Sequence, residues 1–499
     1  MLYPKIPDTY WSFKHALPFI KKKSSFPPLG LMTIAAMLPD TYEVKLVDLN
    51  VSALDRRDLL ECDMVFLSAM IIQQESFRHL VKLSNMYNKP VIAGGPYPIA
   101  SHDKIEGVDH FVLDEAEITL PQFLRDWEAS TPQTIYRSNG VKPDITNSPV
   151  PRFDIIDIDS YNSMSLQFSR GCPFNCEFCD IIEMFGRYSR TKKPEQFIRE
   201  MEAVYAAGFR GSIFIVDDNF IGNKKEVKKL LTEIITWQKA HHYPFTFFTE
   251  ASINLAGDDE LLQLMADAAL DMVFIGIETP DKETLAFTQK GQNLKESTYE
   301  SVKRIQEAGI EVTGGFIVGF DTDKEDIFER QRSFIQKAGI PMAMVGLLTA
   351  LPNTQLFRRL KREDRLLTEE ISGNNTHEFG LNFIPKMSLE KIRSGYKQLI
   401  SDVFSPSSYF HRCLTLLKRK PASKEPPKRI TREELRALIL SLVKQTFSWY
   451  GFQYILFLVR TVLYKPQLFH TAIVFAVKGH HLFKITKQIL RQERRSPAL

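Results

Sequence analysis

Cysteine is scarce in this chain of 499 residues: only Cys62, Cys172, Cys176, Cys179 and Cys413 occur. An odd number with three crowded together makes a poor disulfide framework and fits a reducing compartment. The sequence also lacks any run of about 20 uncharged apolar residues, so no transmembrane helix is expected. Its first residues, "MLYPKIPDTYWSFKHALPFIKKK", contain no apolar core followed by a small-residue cleavage site; no secretory signal is read, and a cytoplasmic protein is expected. Excess charge is missing too. A net charge of +4 over this length gives no reason to expect a nucleic-acid partner. No internal repeat is visible beyond an alternation of strand-like and helix-like stretches.

That alternation organises most of the chain, whose 44% apolar and 25% charged residues are those of a globular protein with material for two or three domains. The stretches "YEVKLVDLN" (42–50), "MVFLSAM" (64–70), "KPVIAGGPYP" (89–98) and "HFVLDE" (110–115) read as strands, with apolar residues at helical spacing in 75–88 between them. Single helices between strands imply parallel βαβ units and a doubly wound α/β domain over 1–135. Ligands bind such sheets beyond the carboxyl ends of the strands, where "SAM" and "GGPYP" fall. Residues 136–160, rich in proline and turn formers, read as a linker. Six further strands follow: 163–169, 211–219, 244–252, 271–279, 310–320 and 342–351, each trailed by a helical segment such as 223–240. They predict a partial or complete (β/α) barrel over 161–375, with Asp217, Asp218, Glu250, Glu278 and Gly319 at its catalytic rim. Residues 376–499 read as helical, with the basic, proline-containing stretch 417–429 linking two halves.

The three clustered cysteines stand in "SRGCPFNCEFCD", spaced C-x3-C-x2-C directly after the first barrel strand. A structural zinc site with a remote histidine or Cys413 is one reading, but zinc cysteines usually come in two pairs. Three thiolates on one short loop can instead hold three irons of a 4Fe–4S cluster and leave the fourth iron open.

With this spacing, and with Phe178 just before the last cysteine, the sequence resembles the radical S-adenosylmethionine (SAM) enzymes. "FIVDDNF" (214–220) stands where the family's second strand meets the SAM amino group, although many members have Gly-Gly-Glu there. "GIETP" (276–280) is similar to the acidic motif near the ribose, and "GGFIVGFD" (314–321) to the glycine motif near the adenine. The resemblance implies cluster ligands Cys172, Cys176 and Cys179. It implies SAM contacts from Phe178, Asp217, Asp218, Asn219, Glu278, Gly314 and Gly315, and from Glu250 and Ser252 on the third strand. The alternative for Asp217, Asp218 and Glu278 is that they are ordinary caps or salt-bridged rim residues. It further implies that reductive cleavage of SAM yields a radical able to attack unactivated C–H bonds, which requires exclusion of water.

The α/β domain placed before the barrel resembles the cobalamin-binding domain of class B radical SAM enzymes. "LDEAEIT" (113–119) is similar to their Gly-Glu-x-Glu-x-Thr segment, with Asp114 in place of glycine. Ser68, Gly94, Gly95, Tyr97 and Glu115 are the implied cobalamin contacts. Where many cobalamin proteins carry the cobalt-ligating histidine of Asp-x-His-x-x-Gly, this chain has "VDLNVSA" (47–53), and His102 and His110 read as surface or packing residues. A flavodoxin-like domain without ligand is the alternative.

From Lys444 onward nine Lys or Arg face a single acid, Glu493, in an aromatic and apolar context. Such helices suit an anionic membrane surface, or else cover the barrel with their basic groups solvated. Residues 380–499 resemble the extension of the subgroup that includes the hopanoid C-2 methylases. The expectation is thus a cobalamin-dependent radical SAM methyltransferase acting on an unactivated carbon of a small apolar substrate, a lipid or terpenoid. It would be served by a reductase or a flavodoxin or ferredoxin, and would lie peripherally at the inner face of the membrane. Cyclisation or rearrangement without methyl transfer and a non-enzymatic corrinoid carrier are the rivals. A tRNA methylthiotransferase is disfavoured because Cys62 stands alone.

Overall fold

In the computed structural model, residues 1–377, 380–421 and 432–493 are described. Residues 422–431 of the expected basic linker and 494–499 of the basic tail lie outside them. The first domain is a six-stranded, all-parallel sheet. Its strands are β1 (Leu2–Tyr3), β2 (Val47–Asp48), β3 (Val65–Ser68), β4 (Val91–Gly94), β5 (His110–Val112) and β6 (Ile135–Tyr136), in the order β2-β1-β3-β4-β5-β6. Parallel sheets bury both faces, and the alternation within each strand divides accordingly. Val65, Leu67, Val91 and Ala93 enter one apolar cluster with Phe77 and Leu80, while Phe66 and Ile92 enter another with Leu120 and Phe123. The doubly wound expectation is met. Of the expected strand 42–50, however, only Val47–Asp48 pairs, and the sheet takes in two strands not anticipated, Leu2–Tyr3 in its interior and Ile135–Tyr136 at its edge.

The second sheet begins with β7 (Ser163–Leu166). A two-stranded antiparallel ladder, β8 (Ser169–Arg170) with β9 (Arg190–Thr191), follows it. Then come β10 (Gly211–Ile215), β11 (Phe245–Glu250), β12 (Leu270–Glu278), β13 (Glu311–Val318) and β14 (Ala343–Leu347). The six parallel strands run β14-β13-β12-β11-β10-β7, a partial barrel with two free edges. Each edge is met at one end by another segment, which shortens the run of exposed backbone donors and acceptors. Ser24 and Ser25 accept from Asn162 and Ser163 beside β7, and Asn375 accepts from Leu347 beside β14. Residues 136–160 are more than a tether, because Ile145 and Phe153 are buried.

The C-terminal region is helical and shares one apolar core with the barrel, from Met164 and Ile275 through Tyr396 and Tyr409 to Phe483. Tyr396 donates to the Val345 carbonyl of β14, and Lys478 pairs with Glu311 at the start of β13. Residues 8–25 leave the first domain and lie against these helices, with Tyr10 bonded to Thr486 and His481 to the Thr9 and Tyr10 carbonyls. Among the described residues, no helix is long and apolar enough to cross a membrane.

Candidate active site

The cysteine loop leaves β7 and is stapled at its base by the β8–β9 ladder. Gly171, immediately before Cys172, has φ +93°, and a Cβ there would lie 2.5 Å from the Tyr188 carbonyl oxygen, so this position needs glycine. Asp217, just beyond β10, accepts from the Phe168 and Ser169 amides and the Ser169 hydroxyl, each at 2.7 Å. Both its oxygens are therefore committed to the strand-to-loop turn. Burial drives its pKa up to about 6. Within the loop, Glu177 pairs with Arg359, and Phe178 packs on Phe320 at 5.8 Å between centroids.

Each of two cysteine sulfurs has an amide donor: Asn219 Nδ2 lies 3.7 Å from Cys172 Sγ, and Gln292 Nε2 lies 3.7 Å from Cys176 Sγ. Burial raises the pKa of Cys172 and Cys179, with Asp180 adding to the latter. The triad of Cys172, Cys176 and Cys179 stands on one short loop, whereas structural zinc cysteines usually come in two pairs. Its chemistry fits a cluster: three thiols on one loop, with N–H donors to sulfur of the kind that tune cluster potential.

Next to the loop, carboxyls crowd the strand ends. Burial, reinforced by Asp217, raises Asp218 to about 7; burial, reinforced by Asp218, raises Glu250 to about 8. Glu278 takes a left-handed φ of 62° after the register shift at the end of β12 and pairs with Lys290 Nζ at 2.6 Å. Burial pulls the Lys290 pKa down, but Glu278 and Cys176 more than offset it and hold the ammonium charged. Asn219 Oδ1 accepts from the Ser252 amide and hydroxyl, which ties the second strand end to the third. One lysine meets three carboxyls here: Glu278 is paired with it, and burial favours the protonated forms of Asp218 and Glu250, so a sulfonium cation bearing an ammonium group would favour their ionised forms.

Below the acids the wall is aromatic. Phe214 of β10 and Phe248 of β11 are register partners stacked at 4.9 Å and 4°, and Phe26 of the N-terminal segment packs on both. Trp11 meets Phe274 of β12 edge-on at 5.5 Å. All but Trp11, which is exposed, are half-buried, unlike their neighbours Ile213, Phe247 and Val273, which are sealed under the helices. Alternation along the strands therefore points these rings into the lumen. The positions where Gly314 and Gly315 would carry a Cβ are filled by the Phe316 and Phe274 rings, at 2.8 Å each.

Between the carboxyl ends of the first sheet and the cysteine loop lies a cleft of about 740 Å³. Ile99–Lys104, Asp114, Glu115 and Arg137–Gly140 line one side, and Asp180, Glu183–Phe185 and Leu351–Asn353 the other. Of the five residues expected to meet cobalamin, Glu115 is in this wall; Ser68, Gly94, Gly95 and Tyr97 are not. Ser68 Oγ occupies the Cβ position of Gly95, the Val112 carbonyl that of Gly94, and Tyr97 is buried, accepting from Arg78. Asn50 stands where a cobalt-ligating histidine would, and its amide is spent on Asp48 and the Pro4 carbonyl. An interdomain cleft at strand ends, of a size usual for cofactors and without an imidazole from that segment, fits a corrinoid. Lys290, Gln292 and the segments 99–104 and 137–142 were not anticipated.

A parallel α/β domain facing a partial barrel that bears a three-cysteine loop defines a radical SAM enzyme with a corrinoid-binding domain. The comparisons agree. Residues 166–335 match the Radical SAM superfamily, residues 19–124 the B12 binding domain, and residues 354–495 a domain of unknown function, DUF4070. An uncharacterized methyltransferase of Synechocystis is 41% identical over 99% of this chain and 92% of its own. The hopanoid C-2 methylase of Rhodopseudomonas palustris is 33% identical over 82% of this chain and 77% of its own. The cobalamin-dependent SAM radical enzyme OxsB, solved with aqua-cobalamin, shares the fold at 15% identity, with a TM-score of 0.63 over 99% of this chain and 80% of that one. The chain belongs to the cobalamin-dependent radical SAM methyltransferases, and its cofactors are a 4Fe–4S cluster, SAM and cobalamin.

Proposed function

We propose that this enzyme methylates an unactivated carbon of a small apolar substrate, a lipid or polycyclic terpenoid, met at the inner face of a membrane. The observation that carries the substrate half is the aromatic lumen of Phe26, Phe214, Phe248 and Phe274 directly below the acid-lined rim. A polar metabolite would find few partners on these rings, whereas an apolar skeleton gains about 25 cal/mol for each Å² it buries. The hopanoid methylase relative supports the same direction. When bound, the cluster and SAM supply a carbon radical and cobalamin supplies the methyl group.

The residues of this chain then divide the work. Cys172, Cys176 and Cys179 hold the cluster beside Phe178. Asp218, Asn219, Glu250, Ser252 and Glu278 take the polar and cationic groups of SAM, and the cleft around Glu115 takes cobalamin. The aromatic rings packed along the lumen limit the water it holds. A reductase, flavodoxin or ferredoxin supplies electrons. The test is anaerobic incubation of the reconstituted enzyme with SAM, cobalamin, a reductant and a panel of hopanoid-like and polar substrates. A product heavier by one CH₂ from apolar substrates alone is expected, and Phe248→Asp should abolish it while Cys176→Ala abolishes SAM cleavage. Methylation confined to polar substrates, or a product of unchanged mass, would overturn the reading.

A further inference from the structure

The helices Arg432–Thr446 and Gly451–Tyr464 form a hairpin whose outer side is apolar and uncovered. On the first, Leu435, Ile439, Leu442 and Val443 are exposed at positions that share one helical face. On the second, Phe452, Ile455, Leu456, Val459 and Leu463 repeat the pattern. The turn between them carries Phe447, 86% exposed, and Trp449, 64% exposed; Phe452 and Leu463 are 77% and 74% exposed. A soluble surface seldom leaves so many large apolar side chains together in water.

Charge identifies what covers them. No Asp or Glu occurs from Leu435 to Gln492. Arg460 is exposed on the hairpin, and Lys484 and Lys487 on the adjoining helix Phe469–Glu493. Lys487 lies over the Trp449 ring at 5.5 Å, and Lys418 over the Tyr464 ring at 4.7 Å. Amphipathic aromatics flanked by cations are what the headgroup layer of a bilayer accommodates. A second copy of the chain would bring the same excess of positive charge to the contact, Glu434 on the first helix being paired with His470, whereas an anionic leaflet neutralises it.

We propose that this hairpin docks on the surface of a membrane containing anionic lipid, its tip at Phe447–Phe452 entering the headgroup layer and its basic residues pairing with lipid phosphates. This deepens the membrane half of the proposed function and rests on it only for the source of substrate. Docking does not require that the substrate be a lipid.

The test is co-sedimentation of the full chain, loaded with cluster and cobalamin, with phosphatidylcholine vesicles and with vesicles also containing phosphatidylglycerol. Binding to the anionic vesicles that weakens with salt is expected. The variant Phe447→Ser/Phe452→Ser/Leu463→Ser alters only exposed side chains, so its melting temperature and cobalamin retention should be unchanged while vesicle partitioning falls about tenfold or more. Arg460→Glu/Lys487→Glu should remove the preference for anionic vesicles. The proposal is overturned if the native chain stays in the supernatant, if the triple variant partitions like the native chain, or if the native chain is a dimer that the triple variant separates. Methylation of detergent-dispersed substrate is read in parallel; it would persist if only the docking proposal failed, and would be missing if the substrate assignment failed.

Discussion

At the scale of single residues, two buried ionisable groups make opposite demands. Glu250 is pushed up to about 8 by burial, with Asp218 and Glu278 adding to it. Below its ordinary value both folded and unfolded chains hold the proton. Above that value the unfolded chain releases it while the folded chain keeps it. Stability therefore falls as pH rises from about 4.5 to about 8 and levels off beyond. Glu250→Gln keeps the shape and cannot titrate, so the loss in melting temperature of the SAM-free protein between about pH 6 and about pH 9 should shrink. A variant that loses stability as steeply as the native protein would count against the assignment. Arg412 is the contrary case, a fully buried guanidinium that has no carboxylate partner among the described residues. Burial lowers its pKa to about 10, so it stays charged at neutral pH. It donates to the carbonyls of Ile340 and Val403 at 2.7 Å and of Pro341 at 3.3 Å, joining the C-terminal helices to the approach of β14. Arg412→Met leaves these acceptors unpaired and should cost about 3 kcal/mol in chemical denaturation.

At the scale of elements, Asp217 separates two roles that the sequence alone leaves merged. Its oxygens hold the turn from β7 into the cysteine loop, so Asp217→Asn should lower the iron retained after anaerobic reconstitution and leave SAM affinity of the loaded fraction unchanged. Full iron content with weakened SAM binding would instead make it a SAM contact. The elements most legible in the sequence were those with long signals. All six barrel strands coincide with the stretches read for them, β12 starting slightly earlier at Leu270, because strand-like and helix-like signals alternate regularly along this part of the chain. Leu2–Tyr3 and Ile135–Tyr136 pair over only two residues each, too few for any periodicity to show. The cysteine triad was legible because its spacing is local. Lys290 and Gln292 were not: they lie on the turn after helix Lys282–Phe287, and only the fold carries them over 100 residues back to Cys176. The glycines at 94 and 95 carry a genuine signal of close approach, but what approaches them is this chain's own Val112 and Ser68.

At the scale of the whole molecule, the two catalytic domains are joined through Glu115. Its carboxylate, at the end of the first sheet, receives Arg170 at 2.9 Å and Arg190 at 2.8 Å, and Arg170 also pairs with Glu117 at 2.8 Å. Arg170 and Arg190 are register partners in the β8–β9 ladder that carries the cysteine loop, so the segment before helix Ala116–Glu128 is bonded directly to the base of the cluster site. Although burial opposes it, Arg170 holds Glu117 down to about 2; this part of the contact is complete above the ordinary carboxyl value of 4.5 and is lost only as pH falls toward about 2. Neutralising Glu115 leaves the half-buried Arg190 without its carboxylate and Arg170 with Glu117 alone, a loss of about 1.5–3 kcal/mol for such charged hydrogen bonds. Glu115→Gln should therefore uncouple the domains while each keeps its own core. Calorimetry should show two transitions where the native protein has one, and cobalamin affinity should fall because the cleft loses one fixed wall. A single transition at the native temperature would mean that the domains are held together elsewhere, through the N-terminal segment that crosses from the first sheet to the helices around His481. The two outcomes assign the alignment of corrinoid and cluster to different parts of the chain, one to a charged hinge of four side chains and the other to a strap of backbone.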